Sequence, residues 1–214
     1  MGYRSLSRKD HAVNVLLYLI GVCFIPLGIV IAMHAHLGVP GVDSLSYVIA
    51  EKLGVSVSIG VYATTFVSLV IGAVIRRSYP RVQCYLTSLV YGLFQGIWEV
   101  LLPQYGDAHI ALRVLAMLLG IFIAGTAAAF YLQSKLPVNP NDDLLLAMRE
   151  KGLSVTQAKL TFEITCFVLA FLAHGEIGIG TVAFLALLGP VMGFWSKRLE
   201  RLPAVTSLDE DFRK

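Results

Sequence analysis

Long apolar runs broken by short polar segments set the pattern of this chain. Six runs, at 13–33, 55–75, 82–102, 114–132, 155–173 and 177–195, are long enough for a bilayer, which asks for roughly 20 mostly apolar residues per helix. The runs are continuous, whereas the strands of a membrane barrel would alternate over about ten residues. Helices are therefore predicted throughout. Composition points the same way: 57% of residues are hydrophobic, 14% are charged, and mean hydropathy is +0.74. A soluble domain would be nearer half apolar and a quarter charged.

The first run follows Arg4, Arg8 and Lys9 but exceeds the roughly 7–15 apolar residues of a signal peptide, so it reads as a retained helix. Of the 17 Lys and Arg residues, only Lys52 and Arg113 fall outside if the N-terminus lies inside. By the positive-inside rule, both termini face the cytoplasm. The basic residues sit where orientation signals sit, so the net charge of +3 calls for no nucleic acid.

The polar interruptions repeat. "LGVPGVDSLSYVIAEK" (37–52) aligns with "LPVNPNDDLLLAMREK" (136–151), pairing Leu37 with Leu136, Val39 with Val138, Asp43 with Asp142 and Leu45 with Leu144. After a one-residue slip at Leu53, "GVSVS" (54–58) answers "GLSVT" (152–156). Later "GLFQGIW" (92–98) answers "GPVMGFW" (189–195). Each copy holds three apolar runs, and an odd number inverts the second copy across the membrane. The expected fold is an all-α membrane protein of about six transmembrane helices in a single domain, 1–198. It consists of two inverted three-helix repeats, about 13–102 and 111–198, followed by a polar cytoplasmic tail at 199–214. The connecting segments suit one short helix per repeat, either interfacial or re-entrant. Inverted repeats are the architecture of many secondary transporters, whose sites lie between repeats at interrupted helices.

Polar residues in this setting need a reason. Glu163 lies inside the fifth run, where a charge costs at least ~2.5–3.5 kcal/mol and usually marks a cavity or relay. Lys159, one turn earlier, could pair with it while snorkelling to the inner surface. A carboxyl buried there without a cation could carry a proton. Asp43, Asp142 and Asp143 precede helical runs; capping suffices to explain them, and lining a central cavity is the alternative. Gln95 could line the same cavity. Glu99, beside Trp98, reads as interfacial. Arg113 could pair with Asp107 or Glu99, and His34, His36 and His174 read as solvated ends of runs. Gly92/Gly96 and Gly189/Gly193 are small-x-x-x-small pairs, expected to pack the third and sixth runs near the pseudo-two-fold axis or at a dimer contact.

Cys23, Cys84 and Cys166 lie in apolar runs, without metal spacing or a disulfide framework. No nucleophile, phosphate-loop or zinc motif is visible. Neither an enzyme, a cofactor nor a metal site is expected.

The run "GEIGIGTVAFLALLGPVMGFW" (175–195) resembles the G-x-G-I-G-T…G-P pattern of the bacterial YczE/YyaS/YitT membrane-protein family, as do the paired segments "LGVPGVDSL" and "LPVNPNDDLLL". A Glu of that family's fifth span looks like Glu163. YitT proteins often carry a soluble C-terminal domain, so the chain is placed nearer the YczE branch. Pro40-Gly41 and Pro137 depart from the family pattern at the bends. The resemblance implies an integral protein of the bacterial inner membrane and leaves its activity open.

Two functions follow as expectations. One is a small secondary transporter of an unidentified solute, working singly or as a homodimer in the lipid bilayer, with its site between the repeats. The other is a non-transporting regulator, chaperone or scaffold. A polar cavity containing Glu163 favours the first, and a dry, leucine-filled interface the second.

Overall fold

A computed structural model describes residues 8–104, 106–134, 136–175 and 178–199, the side chains of 8–10, 155 and 156 excepted. Lys135, the start of the sixth run at residue 177 and the predicted tail from residue 200 lie outside the described residues. The described chain is all helical. Its helices are α1 (Arg8–Met33), α2 (Gly41–Leu53), α3 (Val57–Arg76), α4 (Val82–Leu101), α5 (Ile110–Gln133), α6 (Pro140–Glu150), α7 (Val155–Leu172) and α8 (Ile179–Leu199).

Both short helices predicted in the connections are present, and each is bounded by local chemistry. Gly54 ends α2 in the left-handed conformation, at φ +64, which glycine adopts without steric cost. Asn139 caps α6 by accepting the Asn141 N–H, and Pro140 occupies its first turn, where a missing N–H loses nothing. Ser154 and Gln157 form a reciprocal capping box at the start of α7, satisfying two otherwise orphaned donors.

Among the described residues, four helices are long and apolar enough to cross a membrane: His11–Met33, Val57–Arg76, Ile110–Gln133 and Ile179–Leu199. The third and fifth runs became α4 and α7. α7 has 18 residues and includes Lys159 and Glu163, while α4 carries Gln83, Gln95 and Glu99. These polar residues lower the hydropathy of both helices.

The apolar core sits where α1, α5 and α8 cross, built from Ile29, Ala32, Met117, Ile121, Ala124 and Phe184 among others. Small residues bring the backbones together there. A Cβ on Gly28 would overlap the carbonyl oxygen of Gly120, and one on Gly120 would overlap that of Gly28. In lipid, such packing replaces the hydrophobic effect as the force between helices. Leu16, Phe24, Val70, Leu115, Phe122, Phe171 and Leu185 face outward, as the lipid-facing surface of a membrane protein does.

The short helices are built into the bundle rather than laid on its surface. α2 packs on α3 and α7, and α6 packs on the same two helices. The N-terminal turn of α2 reaches the middle of α7, where Gly41 lies against the backbone of Glu163 and Phe167.

The glycine pairs behave unequally, and within one copy of the chain they do not join α4 to α8. Gly92 receives the Tyr62 ring and Gly96 the Ser58 hydroxyl, so that pair packs α4 on α3. Ser58 also donates to the Gly92 carbonyl at 2.7 Å. Gly189 and Gly193 have no neighbouring atom within 4 Å of where a Cβ would stand, because α8 packs on α5 and scarcely meets α7.

Candidate functional site

The starts of α2 and α6 converge on a cavity of about 190 Å³. Its charged lining is Asp43 from α2, Asp142 from α6, and Lys159 and Glu163 from α7. Asn139, Asn141, Ser46, Thr64 and Tyr131 add polar groups, and Ile25, Val61, Phe162 and Leu188 add apolar wall.

Register explains the placement of the two aspartates. Pro40 and Asn139 are the N-cap residues, so Asp43 and Asp142 are each the third residue inside their helix. Neither serves as the N-cap. The capping explanation therefore gives way: Asn139 performs that task in α6, and the Pro40 cap of α2 uses no side-chain hydrogen bond. The carboxylates still meet the positive end of each helix dipole.

Glu163 is buried, 8% exposed. Its Oε1 stands 3.8 Å from Lys159 Nζ, a loose ion pair whose lysine is half exposed. Its Oε2 is buried without a hydrogen-bond partner, and the Gly41 N–H faces the same carboxylate. A buried carboxylate oxygen left without a hydrogen-bond partner is expensive.

The adjacent Asp143 points elsewhere. Arg76 Nη1 donates to its Oδ2 at 2.7 Å, Arg76 Nη2 donates to its Oδ1 at 3.1 Å and its main-chain carbonyl at 2.8 Å, and Arg81 donates to Oδ1 at 3.0 Å. Arg76 Nε also donates to Glu150 at 2.9 Å. Asp143 thus fastens α6 to the end of α3 and takes no part in lining the cavity. Gln95 is fully buried on α4 but likewise lies outside the cavity lining. Of the five polar candidates, then, Glu163, Asp43 and Asp142 share one cavity, and Asp143 and Gln95 do not.

With this geometry in view, comparison with known proteins is informative about kinship. Residues 12–197 match the model of a family of unknown function, DUF6198. The chain belongs to that family. It is 26% identical over 187 residues to the uncharacterized protein YyaS of Bacillus subtilis (strain 168), covering 86% of this chain and 92% of that one. An uncharacterized protein of Haemophilus influenzae is 31% identical over 121 residues, covering 56% of this chain and 55% of the relative. No solved structure matches. The kinship with YyaS agrees with the resemblance seen in the motifs, and bacterial relatives together with the four apolar helices make this DUF6198 member a multi-pass membrane protein of bacterial type.

Sequence reasoning missed a second polar cluster in this DUF6198 chain. His34, read as a solvated end of the first run, is 1% exposed. Its Nε2 stands 3.2 Å from Glu99 Oε2 and its Nδ1 3.0 Å from the Pro103 carbonyl. The Tyr47 hydroxyl donates to the same Glu99 oxygen at 2.7 Å. Arg113 pairs with neither Asp107 nor Glu99; it donates to the carbonyls of Ala35 and His36, both at 2.8 Å. Trp98 donates its indole N–H to the Cys23 carbonyl at 2.9 Å. A histidine, a glutamate and a tryptophan near run ends were the available signal, and their convergence depends on tertiary packing.

Proposed function

We propose that the chain is a small secondary transporter of the bacterial inner membrane, with both termini cytoplasmic and its solute site in the cavity between two inverted repeats. The carrying observation is that this cavity, walled mainly by apolar side chains, gathers the carboxylates of Asp43, Asp142 and Glu163, which a scaffold would not need.

Its walls support the duplication. In the register of the repeat, Asp43 corresponds to Asp142, Val61 to Lys159, Thr64 to Phe162 and Thr65 to Glu163, and all eight line the cavity. Helix packing obeys the same exchange: α1 on α4 answers α5 on α8, α2 on α3 answers α6 on α7, and α2 on α7 answers α6 on α3. A site on a pseudo-two-fold axis with short helices pointing into it is the arrangement expected of alternating access. In this reading α4 and α7 cross the bilayer too, with their polar residues turned inward. A regulator or scaffold remains the second reading; the unpartnered Gly189/Gly193 face of α8 is the feature that favours it.

The test is transport by purified protein in liposomes against a metabolite panel, with an internal pH-sensitive dye. Wild type should move at least one solute, with a proton flux that accompanies it. Glu163→Gln should reduce uptake by more than about tenfold, since it removes a buried ionisable group in the cavity whose Oε2 has no hydrogen-bond partner. Undiminished uptake in that variant would exclude Glu163 from the mechanism.

A further inference from the structure

We infer that the cavity takes a small primary ammonium ion; this rests on the reading of the cavity as a solute site. The free valences there are acceptors. Glu163 Oε2 and Asn141 Oδ1 are both buried without a hydrogen-bond partner, and both residues line the cavity. The carboxylates of Asp43 and Asp142 add further acceptors in the same space. A ligand that completes this site must bring donors. A primary ammonium brings three on one atom.

Charge leads to the same class. With all three carboxylates ionised, the single ammonium of Lys159 leaves two negative charges. The N-termini of α2 and α6 contribute roughly half a positive charge each, which offsets one. The remaining deficit is about one positive charge, so a monovalent cation completes the site and an anionic solute would deepen the imbalance. Burial makes that deficit count, because low dielectric strengthens unbalanced charge. A bare metal ion fits less well. Among the described residues no three His, Cys, Asp or Glu side chains gather closely enough to hold one, and the wall formed by Ile25, Val61 and Phe162 suits the organic part of a solute.

The experiment uses full-length protein in nanodiscs at pH 7 and matched probes: benzylamine, benzyl alcohol and benzoate, then n-butylamine, n-butanol and butyrate. Binding is read by calorimetry and by the shift in melting temperature. The amine of at least one set should bind about tenfold or more tighter than its alcohol, as charge-assisted hydrogen bonds allow, and the carboxylate should not bind. Glu163→Gln should remove that preference while keeping the melting temperature of the unliganded protein, and Glu51→Gln on the exposed end of α2 should leave it intact. Equal binding of amine and alcohol, preference for a carboxylate, silence from both amines, or full amine binding by Glu163→Gln would each overturn the inference. Amine binding without transport in liposomes would instead defeat the transporter reading and leave the ammonium site standing. Uptake of an anion that depends on Glu163 would do the reverse.

Discussion

Gly41 and Glu163 meet backbone to backbone. A Cβ placed on Gly41 would stand 2.9 Å from the Glu163 carbonyl oxygen and 2.7 Å from the Phe167 amide nitrogen. The start of α2 is therefore seated on the one stretch of α7 that carries the buried carboxylate. Gly41→Ala should lower stability by about 1–3 kcal/mol, the usual cost of overpacking, because the opposing atoms are main chain and cannot rotate away. Gly72→Ala is the matched control: its Cβ would find ordinary contacts at 3.7 Å or more. Melting curves of the two variants in one detergent should separate clearly; coincident curves would mean that α2 is not seated on α7.

Two neighbouring aspartates should respond in opposite ways. Asp143 is 3% exposed and held by Arg76 and Arg81. Removing one partner of a buried ion pair typically costs about 3–5 kcal/mol, so Asp143→Ala should destabilise strongly. Arg81→Ala should cost less, because Arg81 is half exposed and exposed pairs contribute at most about 1 kcal/mol. Asp142→Asn should leave melting unchanged or raised, since it removes a carboxylate that faces the cavity without a strong cation partner. Chemical denaturation of the three variants orders them, and a severe loss from Asp142→Asn with a mild one from Asp143→Ala would reverse the assignment.

The division of labour between Asp142 and Asp143 marks the limit of what could be read from the chain. Hydropathy runs predicted the long helices because lipid demands length and apolarity, and both constraints are local. The similarity of 37–52 to 136–151 located α2 and α6, because both segments carry helix start signals, the Pro40 and Asn139–Pro140 steps. Which of two adjacent carboxylates would face the cavity depended on Arg76, 67 residues away in sequence from Asp143. The fate of the glycine pairs was hidden for the same reason: identical spacing in α4 and α8 met Tyr62 in one case and open space in the other.

His34 and Glu99 should share an ion pair at neutral pH. Both imidazole nitrogens face acceptors, the Pro103 carbonyl at 3.0 Å and Glu99 Oε2 at 3.2 Å. A neutral ring carries one N–H and can serve only one of them. Glu99 Oε2 already accepts from Tyr47, so it is poorly placed to donate a proton of its own. Nitrogen-15 spectra of histidine-labelled protein should show one imidazolium at pH 7 that disappears in Glu99→Gln. A neutral His34 with Nε2 as acceptor in the wild-type protein would contradict this arrangement.

The asymmetry between the two halves predicts a motion. In the first copy, Tyr62 of α3 fills the notch at Gly92 of α4. The repeat register gives Leu160 of α7 and Gly189 of α8 as the corresponding pair, yet Leu160 is 46% exposed and Gly189 faces open space. The cavity lies between these same helices, with Phe162 and Glu163 on one side and Leu188 and Met192 on the other. If α7 closes on α8 as α3 does on α4, the second half adopts the packing of the first, as the proposed inverted-repeat architecture requires when the halves exchange states. A protein lacking Cys23, Cys84 and Cys166 but carrying Leu160→Cys and Gly189→Cys should cross-link in membranes under mild oxidation. A Tyr62→Cys, Gly92→Cys pair provides the positive control. Cross-linking should also block amine binding, because the closed helices seal the cavity. Efficient cross-linking of the control pair with none between residues 160 and 189 would show that α7 and α8 stay apart, and that the cavity is open on one side only.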